Sequence, residues 1–245
     1  MENDTWEIVP CPPDRTPVKC RWIFKVKSAP NGTPPRYKAR LVAKGFRQRP
    51  GIDFDETYAA VVSHDTFRAL FSVILSQDME MHQSNVRNVF LQPCLEEEIY
   101  MDQPEGFNLP GKERYVCKVK KSLYGLKQAP HVWGELFPVF LKDQDFHSNS
   151  ADPCLFIRLK AEERTYLAIW VDNAIIASNH QSTIDALLTS LDQTFKIRAH
   201  PVNRCWHRCH QRSYDTENLS FTAGIYRKDL RHLKHGIMCP YRCSS

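Results

Sequence analysis

No stretch of this 245-residue sequence approaches the roughly 20 consecutive apolar residues that a membrane helix needs, and residues 1–20 lack the apolar core of a secretory signal. The chain is therefore expected inside the cell, in cytoplasm or nucleus, neither secreted nor bound to a membrane. No internal repeat or low-complexity tract is present. With 42% hydrophobic, 11% aromatic and 25% charged residues, the composition excludes disorder, collagen and coiled coil as descriptions of the whole. A disulfide framework is missing as well: the nine cysteines are odd in number and scattered from Cys11 to Cys243, the pattern of reduced thiols. Nor is there a strong net charge, since 33 Lys and Arg against 28 Asp and Glu leave only +5.

What the chain does have is an uneven distribution of that charge. Residues 1–50 carry 11 basic and 4 acidic side chains, residues 196–245 carry 10 and 3, and the middle carries 12 and 21. Two basic ends around an acidic centre point to an anionic partner and to a centre suited to cations. The length suits one large or two smaller domains, each able to bury a core.

Hydrophobic periodicity places the elements. Residues 20–27 and 36–44 both alternate basic with apolar side chains around a Pro- and Gly-rich turn, which predicts a basic β-hairpin over 20–44. Ser63 or Asp65 can cap a helix over 66–77 whose apolar face is Phe67, Leu70, Phe71 and Ile74. A strand followed by a turn or helix start is expected over 81–91, and a short strand over 96–101. A helix from Ala129 to about Gln144 carries Trp133, Phe137 and Phe140. Strands over 154–159 and 166–171 follow, with Asp172-Asn173 as a hairpin tip before residues 174–178, then a capped helix over 182–193. Beyond Phe195 apolar residues thin out. The fold class is α+β.

Several segments, in order, resemble the reverse transcriptase domain of Ty1/copia-type LTR retrotransposons. They are Lys38-Ala-Arg-Leu-Val-Ala-Lys-Gly-Phe46, Gly51-Ile-Asp-Phe-Asp-Glu-Thr57, Glu97-Glu-Ile-Tyr-Met101 with Gln103-Pro-Glu-Gly-Phe107, Lys121-Ser-Leu-Tyr-Gly-Leu-Lys-Gln-Ala-Pro130 followed by Trp133, and Asp152-Pro-Cys-Leu-Phe156. Leu219-Ser-Phe-Thr222, Tyr226 and Met238-Cys-Pro240 fit more loosely. The resemblance implies a right-hand polymerase fold that binds an RNA or DNA template-primer and a deoxynucleotide. It divides the chain into a fingers-like hairpin and helix (1–80), a palm with a further fingers insertion (81–200) and a degenerate palm or thumb-start region (201–245), with the thumb absent or truncated.

The resemblance also implies Mg²⁺ as cofactor, held by three aspartates. Two-ion chemistry of this kind activates the attacking 3′-oxygen and steadies the charge that develops on phosphate. Where the family has its first Asp, before a Val-x-x-Ala-Phe-Leu element, this chain reads Asn85-Val-Arg-Asn-Val-Phe-Leu91. Where the family has Tyr-Val-Asp-Asp, it reads Trp170-Val-Asp-Asn173. Of the three catalytic positions, Asn85, Asp172 and Asn173, only Asp172 keeps a carboxylate for the metal. A site offering −1 rather than −3 forfeits on the order of 4–8 kcal/mol of attraction per ion for each lost charge, at an effective dielectric near 20. The expectation is a polymerase fold that does not polymerise. Taken without the resemblance, Asp-Asn between two strands is ordinary turn chemistry.

The resemblance assigns further positions to the nucleotide. Lys38 and Arg40 face the incoming triphosphate, against the alternative of a solvated strand face. Phe90 gates the ribose 2′-hydroxyl, against the alternative of core packing. Tyr124, Gly125 and Lys127 line the nucleotide pocket and template contact, with Gly125 allowing a close backbone approach.

Two other functions fit the residues. The basic ends suit a non-enzymatic nucleic-acid-binding protein that keeps the template-primer groove. Cys205, Cys209, Cys239 and Cys243, with His200, His207, His210, His232 and His235, are zinc-ligand types and suit a zinc-stabilised interaction module.

Overall fold

A computed structural model of the protein describes residues 3–27 and 34–202. All four cysteines of the zinc reading, and every histidine of it except His200, lie outside those residues, as does the expected region 201–245 beyond Val202. No described helix is long and apolar enough to cross a membrane.

In chain order the elements are β1 (Trp6–Pro10), β2 (Cys20–Lys27), β3 (Arg36–Ala43), α1 (His64–Ser76), β4 (Glu80–Val86), β5 (Cys94–Met101) and β6 (Tyr115–Lys121). There follow α2 (Ala129–Asp143), β7 (His147–Ser148), β8 (Leu155–Lys160), β9 (Glu163–Trp170), β10 (Asn173–Ser178), α3 (Gln181–Phe195) and β11 (Ile197–Pro201). Strands and helices intermix without parallel crossovers, and every ladder between these strands is antiparallel. The class is α+β.

The largest sheet has six strands in the order β11-β4-β10-β9-β8-β7. Its central strand β10, Asn-Ala-Ile-Ile-Ala-Ser, is apolar on both faces because both are covered. Ala174 and Ile176 pack with Trp133, Phe137 and Leu141 of α2 and with Ile184, Leu187 and Leu191 of α3. Ile175 and Ala177 pack on the opposite side with Leu70 and Ile74 of α1. The α1 helix starts where the sequence expects: Ser63 is the cap, its Oγ accepting the Thr66 N–H at 3.1 Å. The α3 helix begins instead at Gln181, behind His180, without a side-chain cap.

A second sheet, β1-β6-β5, forms a separate core with the end of β3: Leu41 and Ala43 pack with Ile99, Met101, Cys117, Leu123 and Leu126. The β2–β3 hairpin is a two-stranded ribbon. The ribbon is fastened at its base, where the Ala43 N–H donates to the Tyr124 carbonyl at 2.8 Å and the Lys44 N–H to the Lys19 carbonyl at 2.7 Å. That docking brings the hairpin against the turn after β6, beside the end of the six-stranded sheet that carries the β9–β10 turn.

Candidate functional site

The β9–β10 connection is as short as a hairpin permits: Trp170 pairs with Asn173, leaving Val171 and Asp172 as the turn. Asn173 is thus the first residue of β10 rather than part of the tip. Val171 has φ +55°, a left-handed conformation that a β-branched residue adopts only under constraint. Two hydrogen bonds supply it. The Trp133 indole Nε1–H donates to the Val171 carbonyl at 2.7 Å, and the Val86 N–H to the Asp172 carbonyl at 2.7 Å.

Register does the rest. The β4–β10 ladder sets Asn85 directly opposite Asn173, so the three expected catalytic positions meet at one half-buried spot. Asn85 Nδ2 donates to Asp172 Oδ2 at 3.0 Å and to Asn173 Oδ1 at 3.1 Å, and Asn173 Nδ2 donates to Asp172 Oδ1 at 2.8 Å. The three side chains close a ring in which both carboxylate oxygens accept an amide N–H. Such charge-assisted bonds contribute about 1.5–3 kcal/mol each. Three carboxylates at these separations would instead repel by about 5 kcal/mol per pair at an effective dielectric near 20. Amide hydrogens therefore stand where an all-aspartate site requires cations. Among the described residues no group of three or more His, Cys, Asp and Glu comes close enough to hold a metal ion.

Beside this ring lie most of the positions expected at the nucleotide. The Tyr124 ring packs edge-on to Phe90, with centroids 5.1 Å apart, and the Arg40 guanidinium lies 5.8 Å from the Tyr124 centroid. Burial pushes the Tyr124 hydroxyl to a higher pKa; the Arg40 charge opposes that shift and the Asp172 carboxylate adds to it. Arg40, Phe90, Tyr124 and Asp172 thus share one electrostatic neighbourhood. Lys38 lies on the same face of β3 as Arg40, two residues along and roughly 7 Å further out, in register with Lys25 of β2. Phe90 also touches both the α2–α3 core and the β3–β6 core, so packing and ligand contact are compatible roles for it.

Gly125 meets its backbone requirement in full. Its φ is +92°, and an added Cβ would lie 2.2 Å from the Ala43 carbonyl oxygen. An added Cβ at Gly45 would lie 2.0 Å from the Gly125 carbonyl oxygen. The two glycines let the β3 end and the Tyr124 turn touch backbone to backbone. Lys127 differs from the others: its ammonium lies 4.5 Å from the Phe54 ring centroid, and its N–H donates to Gln48 Oε1 at 2.8 Å.

Sequence reasoning missed what holds this turn. Gln48, Gln128 and Asp53 are buried polar residues. Gln48 Nε2 donates to Gln128 Oε1 at 3.0 Å, and Gln128 Nε2 donates to the Asp53 carbonyl at 3.0 Å and to Glu97 Oε1 at 3.1 Å. The Asp53 carboxylate accepts the Arg49 N–H at 2.7 Å. No spacing or alternation marks such glutamines; only their lack of exposure distinguishes them.

Residues 3–206 match the family described as reverse transcriptase (RNA-dependent DNA polymerase). Over 199 residues, 81% of the chain, the sequence is 42% identical to the Retrovirus-related Pol polyprotein from transposon TNT 1-94 of Nicotiana tabacum. Over the same length it is 39% identical to the corresponding polyproteins from transposons RE1 and RE2 of Arabidopsis thaliana. The chain spans about 15% of the first of these polyproteins and 14% of the other two.

Proposed function

The chain belongs to the reverse transcriptase (RNA-dependent DNA polymerase) family, and from that premise we propose that it is a copia-type domain which keeps a surface for template-primer and deoxynucleotide but has lost nucleotidyl transfer. Enzymes of this family use a divalent metal, generally Mg²⁺. In this reading residues 1–80 are fingers-like and residues 81–200 are palm with a fingers insertion. Lys38 and Arg40 face the triphosphate, Phe90 stands at the sugar, and Tyr124, Gly125 and Lys127 line the nucleotide and template side. The domain would act in cytoplasm or nucleus.

The observation that carries the loss of catalysis is the hydrogen-bonded ring of Asn85, Asp172 and Asn173. Mg²⁺ requires near-octahedral oxygen ligation, commonly with one or two carboxylates beside substrate phosphates. Here one carboxylate is available, both of its oxygens already accept amide hydrogens, and the Asn173 carbonyl oxygen accepts a third. This donor set does not fit a pair of divalent ions, and no catalytic step is derived through them. At about 1.4 kcal/mol per decade of rate, the loss of two negative charges from the site suffices to remove useful polymerisation.

Primer extension on RNA and DNA templates, with Mg²⁺ or Mn²⁺, tests the reading. The wild-type chain is expected to incorporate nothing, and Asn85→Asp/Asn173→Asp to regain incorporation. Clear synthesis by the wild type that Asp172→Ala abolishes would overturn it.

The hairpin favours a second reading, a nucleic-acid-binding protein without catalysis. One face of the ribbon presents Phe24 and Tyr37, each about three-quarters exposed, while the register sets Lys25 beside Lys38 and Lys27 beside Arg36 on the other. Exposed rings on one face suit stacking of unpaired bases, and cations on the other suit phosphates. Binding to a primer-template duplex with a single-stranded overhang should weaken steeply as salt rises. No binding, or a flat salt response, would remove this reading.

A further inference from the structure

A cleft of about 790 Å³ opens beside the β9–β10 turn, lined by Val171 but by none of Asn85, Asp172 and Asn173. Trp133, Phe137 and Phe156 close its bottom almost wholly buried, so the apolar surface it offers comes from Ile169, Pro130, Pro138, Ala60 and Val61, and residues 56–61 form one wall. That volume and apolar lining are those of a small-molecule site.

The cleft's polar lining includes several acceptors beside the hydroxyls of Thr57, Tyr58 and Ser148. Among the described residues its charged members are Glu56 and Glu135, both exposed, and no Lys or Arg lines it. The His131 Nδ1–H donates to the Tyr58 carbonyl at 2.7 Å, which ties the segment 56–61 to α2. Helix α2 adds another acceptor. Pro138 lies inside the helix and has no N–H, which leaves the carbonyl of Gly134 without its helical donor. Both residues line the cleft. Gly134 also leaves the cleft open, since a Cβ added there meets nothing within 4 Å.

We propose that this cleft binds a small organic cation with a flat apolar body, an aromatic amine. The accessible apolar lining of Ile169, Pro130, Pro138 and Val61 takes the rings, and the two carboxylates with the Gly134 carbonyl take the ammonium and its hydrogens. Nucleic acid is disfavoured there because two carboxylates, with no Lys or Arg among the described lining, repel phosphate. The proposal does not depend on whether the domain polymerises.

The full 245-residue chain is titrated with dansylcadaverine, an aromatic ring bearing an amine, and with dansylglycine, the same ring bearing a carboxylate, and tryptophan-to-dansyl energy transfer is read. Dansylcadaverine should occupy one site and bind at least about tenfold more tightly than dansylglycine. Gly134→Leu, which projects into the cleft without a clash, should cost at least about tenfold in dansylcadaverine affinity while the melting temperature does not fall. Glu56→Gln/Glu135→Gln should bring the two probes to within about threefold of each other. Equal affinities for the wild type, binding of neither probe, wild-type affinity in Gly134→Leu, or displacement of the amine by a single-stranded oligonucleotide would each overturn the proposal.

Discussion

Asn85 stands opposite Asn173 across the β4–β10 ladder, and its one amide nitrogen donates both to Asn173 Oδ1 and to Asp172 Oδ2. Restoring a carboxylate at position 85 alone therefore removes two donors and sets like charges about 3 Å apart. Asn85→Asp is expected to cost about 2–4 kcal/mol of stability, roughly 10 °C in melting temperature for a chain of this size. Asn85→Leu, which loses the bonds without adding charge, should cost less. Asn85→Asp/Asn173→Asp should be destabilised in a chelator and recover in Mg²⁺ or Mn²⁺, whereas the wild type should melt at the same temperature in both. Thermal melts across the four proteins check this; a wild type stabilised by Mg²⁺ as much as the double variant would count against the proposed loss of metal binding.

Gly125 and Gly45 are two halves of one contact. Gly125→Ala forces a methyl to 2.2 Å from the Ala43 oxygen at a backbone φ of +92°, so the Ala43–Tyr124 hydrogen bond must break or the turn must move. A loss of about 3–5 kcal/mol is expected. Gly45→Ala strikes the Gly125 carbonyl from the other side and should cost a similar amount. Because either change already separates the two backbones, the double variant should fall short of the sum by about 1 kcal/mol or more in urea unfolding. Strict additivity would show that the contact does not act as a unit.

How far the sequence disclosed this arrangement depends on the residue. The β2–β3 hairpin, α1 and α2 are legible because their apolar residues recur with the period of the element that buries them. The convergence of positions 85, 172 and 173, and of 40, 90 and 124, was legible only through ordered motifs, since no local pattern tells Asn85 that β10 will lie beside β4. Strands β1, β6 and β11 escaped. In β6, Val116, Cys117 and Val119 are buried but are interleaved with Lys118, Lys120 and Lys121. In β11 only Ile197 is buried. The contact of the Lys127 ammonium with the Phe54 ring, and of its N–H with Gln48, depends on the loop over 45–54 reaching the turn, which no local pattern announces. Burial of Gln48 and Gln128 follows from tertiary pairing and leaves no trace in periodicity.

Those glutamines make a separate prediction. Gln128 is fully buried and bonds Gln48, Glu97 and the Asp53 carbonyl, so Gln128→Leu strands three partners at once. Each buried group left without a partner costs about 1–3 kcal/mol, and an overall loss of about 3–5 kcal/mol is expected, since some of the groups regain water. Gln48→Leu added to Gln128→Leu should cost less than the two losses summed, because it removes one of the stranded groups. Chemical denaturation of the single and double variants measures the coupling, and a loss below about 1 kcal/mol for Gln128→Leu would show that the cluster bears little of the stability.

Asp152 ties the loop before β8 to the start of α1. Its Oδ2 accepts the Ser63 N–H at 2.8 Å and its Oδ1 the Cys154 N–H at 3.0 Å. Burial works to raise its pKa, but the hydrogen bonds from the Ser63 N–H, the Thr66 hydroxyl and the Cys154 N–H together outweigh burial and hold the carboxyl below its ordinary value. A carboxylate whose folded pKa is depressed binds fewer protons folded than unfolded. Its contribution is therefore present in full above the unfolded value of about 3.9, and is lost as pH falls through the lower folded value. Asp152→Asn should accordingly be less stable than the wild type at neutral pH, with the gap narrowing as the solution is acidified below about pH 4. Urea unfolding at several pH values checks the sign. A gap that widens on acidification would mean that the carboxylate is not the form these donors favour.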